Sequence, residues 1–526
     1  MIKMAILYKF RHISDLVGNA LLMFIMLNIL CSCSNNSDIV EISVDQEYQN
    51  LEFNQFTGSK VIEIKSSGAW SAKVESNASW CTLSHQSGEG NQYVKVSVEP
   101  NQSGGDRTTS VTISASGSEN VVINVKQFRN LLPQYAEAIE PDATGMSKDK
   151  SAMQLSQSLK MGFNIGNTYE AIYTDGNGYL AGDESSWGNP TPNAILFKAV
   201  KADGFDIVRM PLSFSHKLVK PVKAKGLYTD DTTYEIKKEW LDKIAKSVDE
   251  AIAEGLYVMI NIHLDGGWMN HVNDKYSSAI YKRFEEYWKQ IALRFRDYDE
   301  HLIFAGMNEV YDEDNNVWNV TPPEECFKVH NQLNQLFVNV VRATGGKNYY
   351  RYLVLQSYVT SIDYALSKFV MPLDVVKDRC FVESHYYDPS DFTIMADEGY
   401  KTEWGKPFAE SGGTVSNFGQ EDGMEKTMKS LSKFTSNNIP VIIGEWGLEY
   451  RKNLAPKEKL DRHIDSRNYY SWYIVKTCLN NKILPMNWDT GYLINRSTGV
   501  TNDELNLKAM NDAVQGKEYS FFSINR

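Results

Sequence analysis

From Ser151 onward, short apolar runs alternate with longer amphipathic segments. Apolar residues recur at helical spacing in residues 237–254, 279–297 and 324–344, which predicts helices there. Strand-like runs lie around these helices, at 161–165, 205–209, 257–263, 302–309, 352–355, 380–385, 440–445 and 483–488. Eight strands with intervening helices predict an α/β fold, a (β/α)₈ (TIM) barrel over residues 151–526.

The residues before the predicted barrel have a different composition. Residues 39–128 are rich in Ser, Thr, Val and Gly, with alternating runs such as 93–98 and turn clusters such as 87–90. Short alternating strands between frequent turns predict a small all-β sandwich. Residues 129–150 are polar, contain Pro133 and Pro141, and show no periodicity, so we expect a linker there.

Three short motifs identify the predicted sandwich more closely: Gly68-Ala69-Trp70, Ala78-Ser79-Trp80-Cys81 and Val125-Lys126-Gln127. They resemble the BACON domain, a small immunoglobulin-like module found beside bacterial carbohydrate enzymes. The resemblance implies either carbohydrate binding or a spacer role. We expect a spacer, because the sequence shows no exposed aromatic stripe.

The amino terminus has the pattern of an export signal. Lys3, Lys9 and Arg11 precede an apolar stretch over 16–30, which ends in Leu30-Cys31-Ser32-Cys33. This ending resembles a bacterial lipobox, so we expect a lipoprotein signal peptide over residues 1–32, a lipid on Cys33, and anchorage to the outer membrane at the cell surface. Plain secretory cleavage and an uncleaved anchor are the alternatives, and Cys31 competes for the acylated position.

Charge and cysteine usage limit the possible partners. The net charge of −12 argues against nucleic acid, which needs a basic face. Four of the six cysteines lie outside the signal, widely scattered and without ligand-like spacing to the nine histidines. We therefore expect no metal and no cofactor, a neutral hydrophilic substrate, and a monomer.

Polar residues follow one predicted strand after another. The strand ends carry Asn164, Arg209, His263, Asn308 with Glu309, His385 with Tyr387, Glu445 and Trp488. Any one of these residues could be a structural hydrogen-bonding group, but such residues at seven of the eight strand ends, on the active face of a barrel, indicate a site. Glu309 and Glu445 would bring paired carboxylates to that face, which is the arrangement that glycoside hydrolysis requires.

These residues, together with Phe205-x-x-Val208-Arg209-x-Pro211 and Gly444-Glu445-Trp446-Gly447, resemble glycoside hydrolase family 5. The segments 162–168 and 342–346 resemble its subfamily 4 of endoglucanases and xyloglucanases. The resemblance implies that Glu445 is the nucleophile and Glu309 the acid/base. It implies also that Arg209 and Tyr387 support Glu445, that Asn308 binds the sugar 2-hydroxyl, and that Trp488 stacks on the sugar. Asn164, His263 and His385 complete the polar frame around the substrate.

The resemblance implies a retaining endo-β-1,4-glucanase that acts on a plant β-glucan polysaccharide, with xyloglucan as the expected substrate. A mixed-linkage glucanase or a mannanase on the same frame is the alternative enzyme. A non-catalytic, glycan-binding surface lipoprotein is the alternative of another class. The intact Glu309 and Glu445 pair argues against a pure binding protein. The loop aromatics Tyr169, Trp187, Trp268 and Trp404 could stack on sugars or pack under loops.

Overall fold

The structure is a computed structural model, which describes residues 39–53, 58–99, 101, 105–128, 132–224, 233–315 and 321–524. The chain divides into two compact units, Met1–Arg129 and Asn130–Arg526. The predicted signal peptide and Cys33 lie outside the described residues. Within the described ranges, no helix is both long enough and apolar enough to cross a membrane.

In the first unit, the described part of residues 39–128 forms two β-sheets. One sheet has the strand order Ile42–Ser43, Gly58–Ser66, Gln92–Val98 and Cys81–Leu83. The other has the order Asn50–Phe53, Val121–Gln127, Arg107–Ala115, Ala69–Val74 and Ser87–Glu89. Alternate residues of the longer strands are buried, and they form one apolar core that includes Trp70. The predicted β-sandwich is confirmed.

In the second unit, eight parallel strands close into a barrel within the described residues. We number them β1 to β8 in chain order: Gly162–Ile165, Ile207–Leu212, Tyr257–Ile262, Leu302–Ala305, Leu353–Gln356, Cys380–Ser384, Val441–Trp446 and Ile483–Asp489. β1 pairs with both β2 and β8, which closes the ring. The predicted (β/α)₈ barrel is confirmed, and each strand coincides with one of the eight apolar runs.

Helices surround the barrel because each of the longer ones buries one apolar face. The described α-helices are Ala152–Ser158, Ala194–Ala202, Lys238–Ala253, Ser277–Arg294, Glu324–Ala343, Ile362–Ser367, Ser390–Thr393, Lys406–Glu410, Glu421–Ser430, Ser432–Thr435, Lys457–Asn480 and Glu504–Val514. In Lys238–Ala253, for example, Leu241, Ile244, Ala245 and Val248 are buried at helical spacing. The three helices predicted from periodicity lie within three residues of their predicted ends.

The barrel interior is a separate apolar cluster. Inward residues of the strands, among them Ile207, Phe381, Ile442 and Met486, pack together inside the ring. The helix Ala152–Ser158 adds Ala152 and Leu155 to the same cluster. Because side chains alternate along a strand, the next inward position on each strand lies one layer nearer its carboxyl end.

The described part of the segment predicted to be a linker, residues 132–150, is instead part of the barrel unit. Ile139 and Pro141 pair in parallel with Gly345 and Gly346, and Met146 is fully buried. The carbonyl oxygen of Ser147 accepts a hydrogen bond from Arg379, at 2.8 Å. The prediction failed because these contacts use backbone groups and single side chains, which leave no periodicity in the sequence.

Candidate active site

The polar site is formed by inward-facing residues near the carboxyl ends of the barrel strands. Arg209 is two residues beyond the interior Ile207, Glu383 is two beyond Phe381, and Trp488 is two beyond Met486. The alternation of strand residues therefore directs these side chains to the barrel axis. The inward residues change from apolar to polar near the strand ends. The polar residues that follow apolar runs in the sequence are therefore the ones that form the site.

Glu445 reaches this layer through an irregularity in β7. The register between β7 and β8 shifts between Ile443 and Trp446, and an irregularity of this kind re-aims side chains at a barrel rim. Glu445 is 5% exposed. Its Oε1 accepts a hydrogen bond from Arg209 Nη1 at 2.8 Å, and its Oε2 accepts one from Tyr387 Oη at 3.2 Å.

Glu309 faces Glu445 from the segment after β4. Its side chain is 44% exposed, and its Oε1 lies 2.6 Å from His385 Nδ1. One oxygen of Glu309, one of Glu445 and a ring nitrogen of His385 lie within 4.8 Å of one another. This close approach agrees with a retaining glycosidase, in which the two carboxyl groups are about 5–5.5 Å apart.

Asn164 and Arg209 lie beneath the site and not at its surface. Both are fully buried. Asn164 donates from Nδ2 to the carbonyl oxygen of Gly444 at 2.9 Å, and Arg209 Nη1 donates to Asn164 Oδ1 at 3.0 Å. The expectation that Asn164 lies against the substrate is wrong for this geometry, since its side chain is not accessible. Arg209, which was expected to support Glu445, does contact that carboxylate, and its burial excludes contact with substrate. The two side chains position Glu445 and the end of β7.

Asn308, His263 and Trp488 form the other side of the site. Asn308 Oδ1 accepts from Arg209 Nη2 at 2.6 Å, which orients its amide. The His263 and Trp488 rings are parallel, 12° apart, with centroids 5.6 Å apart. Burial lowers the pKa of His263 well below its usual value, so this ring is neutral at the pH of most measurements. Trp488 is half-buried, as a sugar-stacking platform requires.

The site contains a third carboxylate, the buried Glu383 on β6, which is not among the residues predicted from the sequence. It is fully buried, and its Oε1 lies 3.2 Å from both Arg209 Nε and His385 Nε2. Its Oε2 accepts from Gln356 Nε2 on β5 at 2.6 Å. Two signals in the sequence point to it. A charged residue inside an apolar strand is rare, and Glu383 is two residues before His385, so both side chains face the same side of the strand.

The two predicted catalytic carboxyls have pKa values displaced in opposite directions. Burial raises the pKa of Glu445, although His385 and Arg209 act against it. Loss of hydration also opposes ionisation of Glu309, but its hydrogen bond to His385 and the charges of His385 and Arg209 hold its pKa below the usual value. Glu309 is therefore the more acidic carboxyl group of the pair in the free protein, because the cationic His385 lies against it.

His385 is the second cation of the site. Burial opposes its charge, yet the negative charge of Glu445 and hydrogen bonds to Glu309 and Glu383 raise its pKa to about 10. Five charged groups consequently form an alternating chain: Glu309, His385, Glu383, Arg209 and Glu445. With all five ionised the chain carries one net negative charge, and one further proton makes it neutral.

The loop aromatics separate clearly by exposure. Tyr169, Trp268 and Trp404 are buried, and each packs against other aromatic rings of the core. Trp187 is 39% exposed. Of these four residues, only Trp187 is accessible enough for stacking on a sugar.

A possible metal-binding group lies away from the pair of glutamates. His271, Asp312 and Asp314 lie close enough together to share an ion. The Asp312 carboxylate, however, already accepts hydrogen bonds from Asn273 at 2.7 Å and from the Cys326 thiol at 3.6 Å. These bonds explain its burial without a cation, so we assign no metal to the cluster.

The fold and the facing carboxylates define the class of the protein, a barrel glycoside hydrolase with retaining geometry. Residues 172–493 match the cellulase family model, glycosyl hydrolase family 5, and residues 69–128 match the BACON putative binding domain. The chain belongs to glycoside hydrolase family 5, with a BACON domain before the barrel.

Named relatives agree with this assignment. The chain is 48% identical to the xyloglucan-specific endo-β-1,4-glucanase BoGH5A of Bacteroides ovatus over 484 residues, which is 91% of this chain and 93% of that protein. It is 34% identical to endoglucanase A of Paenibacillus barcinonensis, over 65% of this chain and 83% of the relative. A solved GH5 xyloglucanase from Bacteroides ovatus, in complex with a XXXG heptasaccharide, superimposes with a TM-score of 0.78 at 47% identity. That match covers 90% of this chain and all of the solved one.

Proposed function

We propose that the protein is a retaining endo-β-1,4-glucanase that hydrolyses xyloglucan. The observation that carries this proposal is the pair Glu309 and Glu445, with carboxylate oxygens within 4.8 Å, on the strand ends of a family 5 barrel. The xyloglucan assignment is supported by the long match to a relative with that specificity.

In the first step, the Glu445 carboxylate attacks the anomeric carbon, and the glycosidic C–O bond breaks. Glu309 gives its proton to the departing oxygen, which leaves as the hydroxyl of the other chain fragment. The hydrogen bonds from Arg209 and Tyr387 hold the attacking carboxylate in a fixed orientation before the reaction. Asn308, oriented by Arg209, is placed to bind the 2-hydroxyl, a contact that strengthens in the transition state.

In the second step, water hydrolyses the glycosyl ester. Glu309, now ionised, takes a proton from this water. The water oxygen attacks the anomeric carbon, and Glu445 leaves as a carboxylate. Two inversions at the same carbon give net retention. The protonated His385, 2.6 Å from Glu309, stabilises the ionised form that this step needs.

The proton for the first step belongs to the cluster as a whole. Glu309, Glu445 and His385 interact so closely that they bind and release protons together. Substrate covers Glu309, the most exposed of these groups, and the loss of water raises its pKa relative to the free protein. Binding therefore shifts the shared proton toward the carboxyl that must donate it.

The test compares the wild type with Glu445→Ala and Glu309→Ala on xyloglucan, carboxymethylcellulose, mixed-linkage glucan and mannan. We expect internal cleavage of xyloglucan by the wild type, and loss of at least about 10⁴-fold in kcat for Glu445→Ala. External azide should restore cleavage by Glu445→Ala, with inverted product. Wild-type rates in Glu445→Ala would exclude the assigned nucleophile, and preference for mannan would exclude the substrate.

We propose further that the mature protein is a monomer anchored to the outer membrane, at the cell surface, through a lipid on Cys33. The support is the lipobox-like sequence before Cys33 and the polar residues after it. Replacement Cys33→Ala should move the protein from the membrane fraction to the soluble fraction, while Cys31→Ala serves as the matched control. Continued membrane retention of Cys33→Ala would contradict the anchor.

A further inference from the structure

Glu383 occupies the centre of the charge chain between the two predicted catalytic glutamates. On one side, its Oε1 lies 3.2 Å from His385 Nε2, and the other nitrogen of that ring contacts Glu309. On the other side, the same oxygen lies 3.2 Å from Arg209 Nε, and Arg209 Nη1 donates to Glu445. One carboxylate oxygen thus connects the groups that orient both glutamates.

The strands around Glu383 are built to hold this carboxylate in place. Gln356 on β5 donates to Oε2 at 2.6 Å, and Gln356 is itself fixed by the Met307 backbone N–H at 3.0 Å. On β7, a Cβ atom at Gly444 would lie 1.9 Å from Glu383 Oε1. A glycine is therefore required directly before Glu445, and the space that it leaves is filled by Glu383.

Glu383 itself does not reach the substrate. It is fully buried, whereas His385 is 9% exposed and Glu445 is 5% exposed. A buried carboxylate is costly unless opposite charges and hydrogen bonds compensate for the lost hydration. Glu383 has two cationic neighbours and one amide donor, so it can remain ionised; accordingly, its pKa is below the usual value, because Arg209 and His385 outweigh the effect of burial.

The negative charge of Glu383 determines the net charge of the five groups. With Arg209 and His385 positive, Glu383 and Glu445 negative and Glu309 protonated, the five groups sum to zero. A buried cluster is least costly when its net charge is zero. Without Glu383, the same protonation state would carry a positive charge and would release its proton more readily.

We propose that Glu383 is a positioning residue for the hydrolysis: it fixes the orientations of His385 and Arg209, and its negative charge lets the cluster retain one proton for catalysis. This inference rests on the proposed glycosidase activity. The groups that face Glu383 are Arg209 from β2, Gln356 from β5, His385 from its own strand and Glu445 from β7.

The decisive variant is Glu383→Gln, which preserves size and removes the charge. We expect kcat to fall about 10- to 100-fold, the range typical of residues that orient reacting groups, with little change in KM because Glu383 does not touch substrate. Both limbs of the pH profile of kcat/KM should move to lower pH, since loss of a nearby negative charge favours deprotonation of Glu445, Glu309 and His385.

Two further variants distinguish position from charge and from stability. Glu383→Asp keeps the charge but shortens the reach, so kcat should fall while the pH limbs stay in place. This variant also provides the test if Glu383→Gln does not fold.

The matched control is Asp374→Asn. Asp374 lies outside the site and forms an ion pair with another buried arginine, Arg342, at 2.7 Å. This substitution should lower the melting temperature without moving the pH limbs.

The inference is overturned if Glu383→Gln retains the wild-type kcat and pH limbs, or if Asp374→Asn shifts the limbs equally. It is overturned also if Glu383→Asp keeps the wild-type kcat and Glu383→Gln leaves the limbs in place. A wild-type protein without glycosidase activity would instead refute the proposed function, so the two failures are distinguishable.

Discussion

At the scale of single residues, Arg209 has the most contacts in the site. Its guanidinium meets Asn164, Asn308, Glu383 and Glu445 within 3.2 Å, each through a defined nitrogen. A lysine has one nitrogen on a flexible chain and cannot reproduce this planar arrangement. Full burial also excludes water from replacing the lost donors.

The first prediction is therefore that Arg209→Lys loses activity although the charge is conserved. We expect kcat to fall about 100-fold, because misplacement of Glu445 and Asn308 by about 1 Å is enough for such a loss. Steady-state kinetics on xyloglucan measure the change. Arg462→Lys is the control, since Arg462 makes a similar pair with Glu403, at 2.5 Å, on a helix outside the barrel interior. Equal kinetics in the wild type and Arg209→Lys would contradict the prediction.

The second prediction at this scale concerns pH. Glu309 loses much of its hydration when substrate binds, and desolvation raises the pKa of a carboxyl group. A higher pKa keeps the acid protonated to a higher pH, so the alkaline limb should lie at higher pH for kcat, which reports the complex, than for kcat/KM, which reports the free enzyme. The acid limb should move less, since Glu445 is already buried. Coincident alkaline limbs would refute the argument.

The sequence indicates the polar residues at which apolar runs stop, but not Glu383, which lies inside such a run. Glu309 and Glu445 stand where apolar runs stop, and a carboxylate there is conspicuous. Glu383 stands within a run, where its meaning depends on Arg209 from a distant strand. The sequence also indicates Asn164 and Arg209 as site residues, and it predicts support of Glu445 for Arg209. Burial depends on packing, however, so the sequence alone could not show that Asn164 positions the end of β7 instead of contacting substrate.

At the scale of elements, strand β7 has two special features: Glu383 packs closely against its Gly444, and its pairing with β8 is irregular at the end. Gly444 leaves room for Glu383, and its carbonyl oxygen accepts from Asn164. The register shift then places Glu445 on the axis. The apolar run 440–445 predicted the strand, but period-two alternation alone would aim Gly444 and Glu445 at opposite faces. The irregularity could not be predicted, because it is defined by pairing with β8.

The third prediction follows from this packing. Gly444→Ala places a Cβ where Glu383 Oε1 lies, so we expect destabilisation of about 1–3 kcal/mol, as for other overpacked sites, and a large loss of kcat. Thermal melting and kinetics measure the two effects. The double variant Gly444→Ala with Glu383→Ala should recover part of the stability and none of the activity, as a non-additive pair. Additive stabilities would show that the two side chains do not compete for space.

At the scale of the whole molecule, the barrel was predictable and its amino-terminal boundary was not. Eight apolar runs in alternation with helices leave few other folds. Residues 132–150 lack such a pattern, yet they make specific contacts with the rest of the barrel unit. The motif Arg342–Gly346, noted for its family resemblance, holds these residues: Gly345 has φ +69°, and a Cβ there would lie 1.7 Å from the Ile139 carbonyl oxygen.

The last prediction is that a protein beginning at Leu132 keeps full activity, whereas one beginning at Ser151 is destabilised. The shorter protein loses the buried Met146, the strand pairing of Ile139–Pro141, and the acceptors for Arg379 and Tyr352, which are the carbonyl oxygens of Ser147 and Lys150. Burial of one methionine and several hydrogen bonds together contribute at least about 3 kcal/mol. Melting temperature and kcat/KM at a permissive temperature measure both proteins, with the full chain as the control. If the two truncated proteins have the same melting temperature, residues 132–150 are dispensable despite their contacts. If only the shorter protein has a lower melting temperature, the catalytic unit begins within the segment that the sequence indicates as a linker.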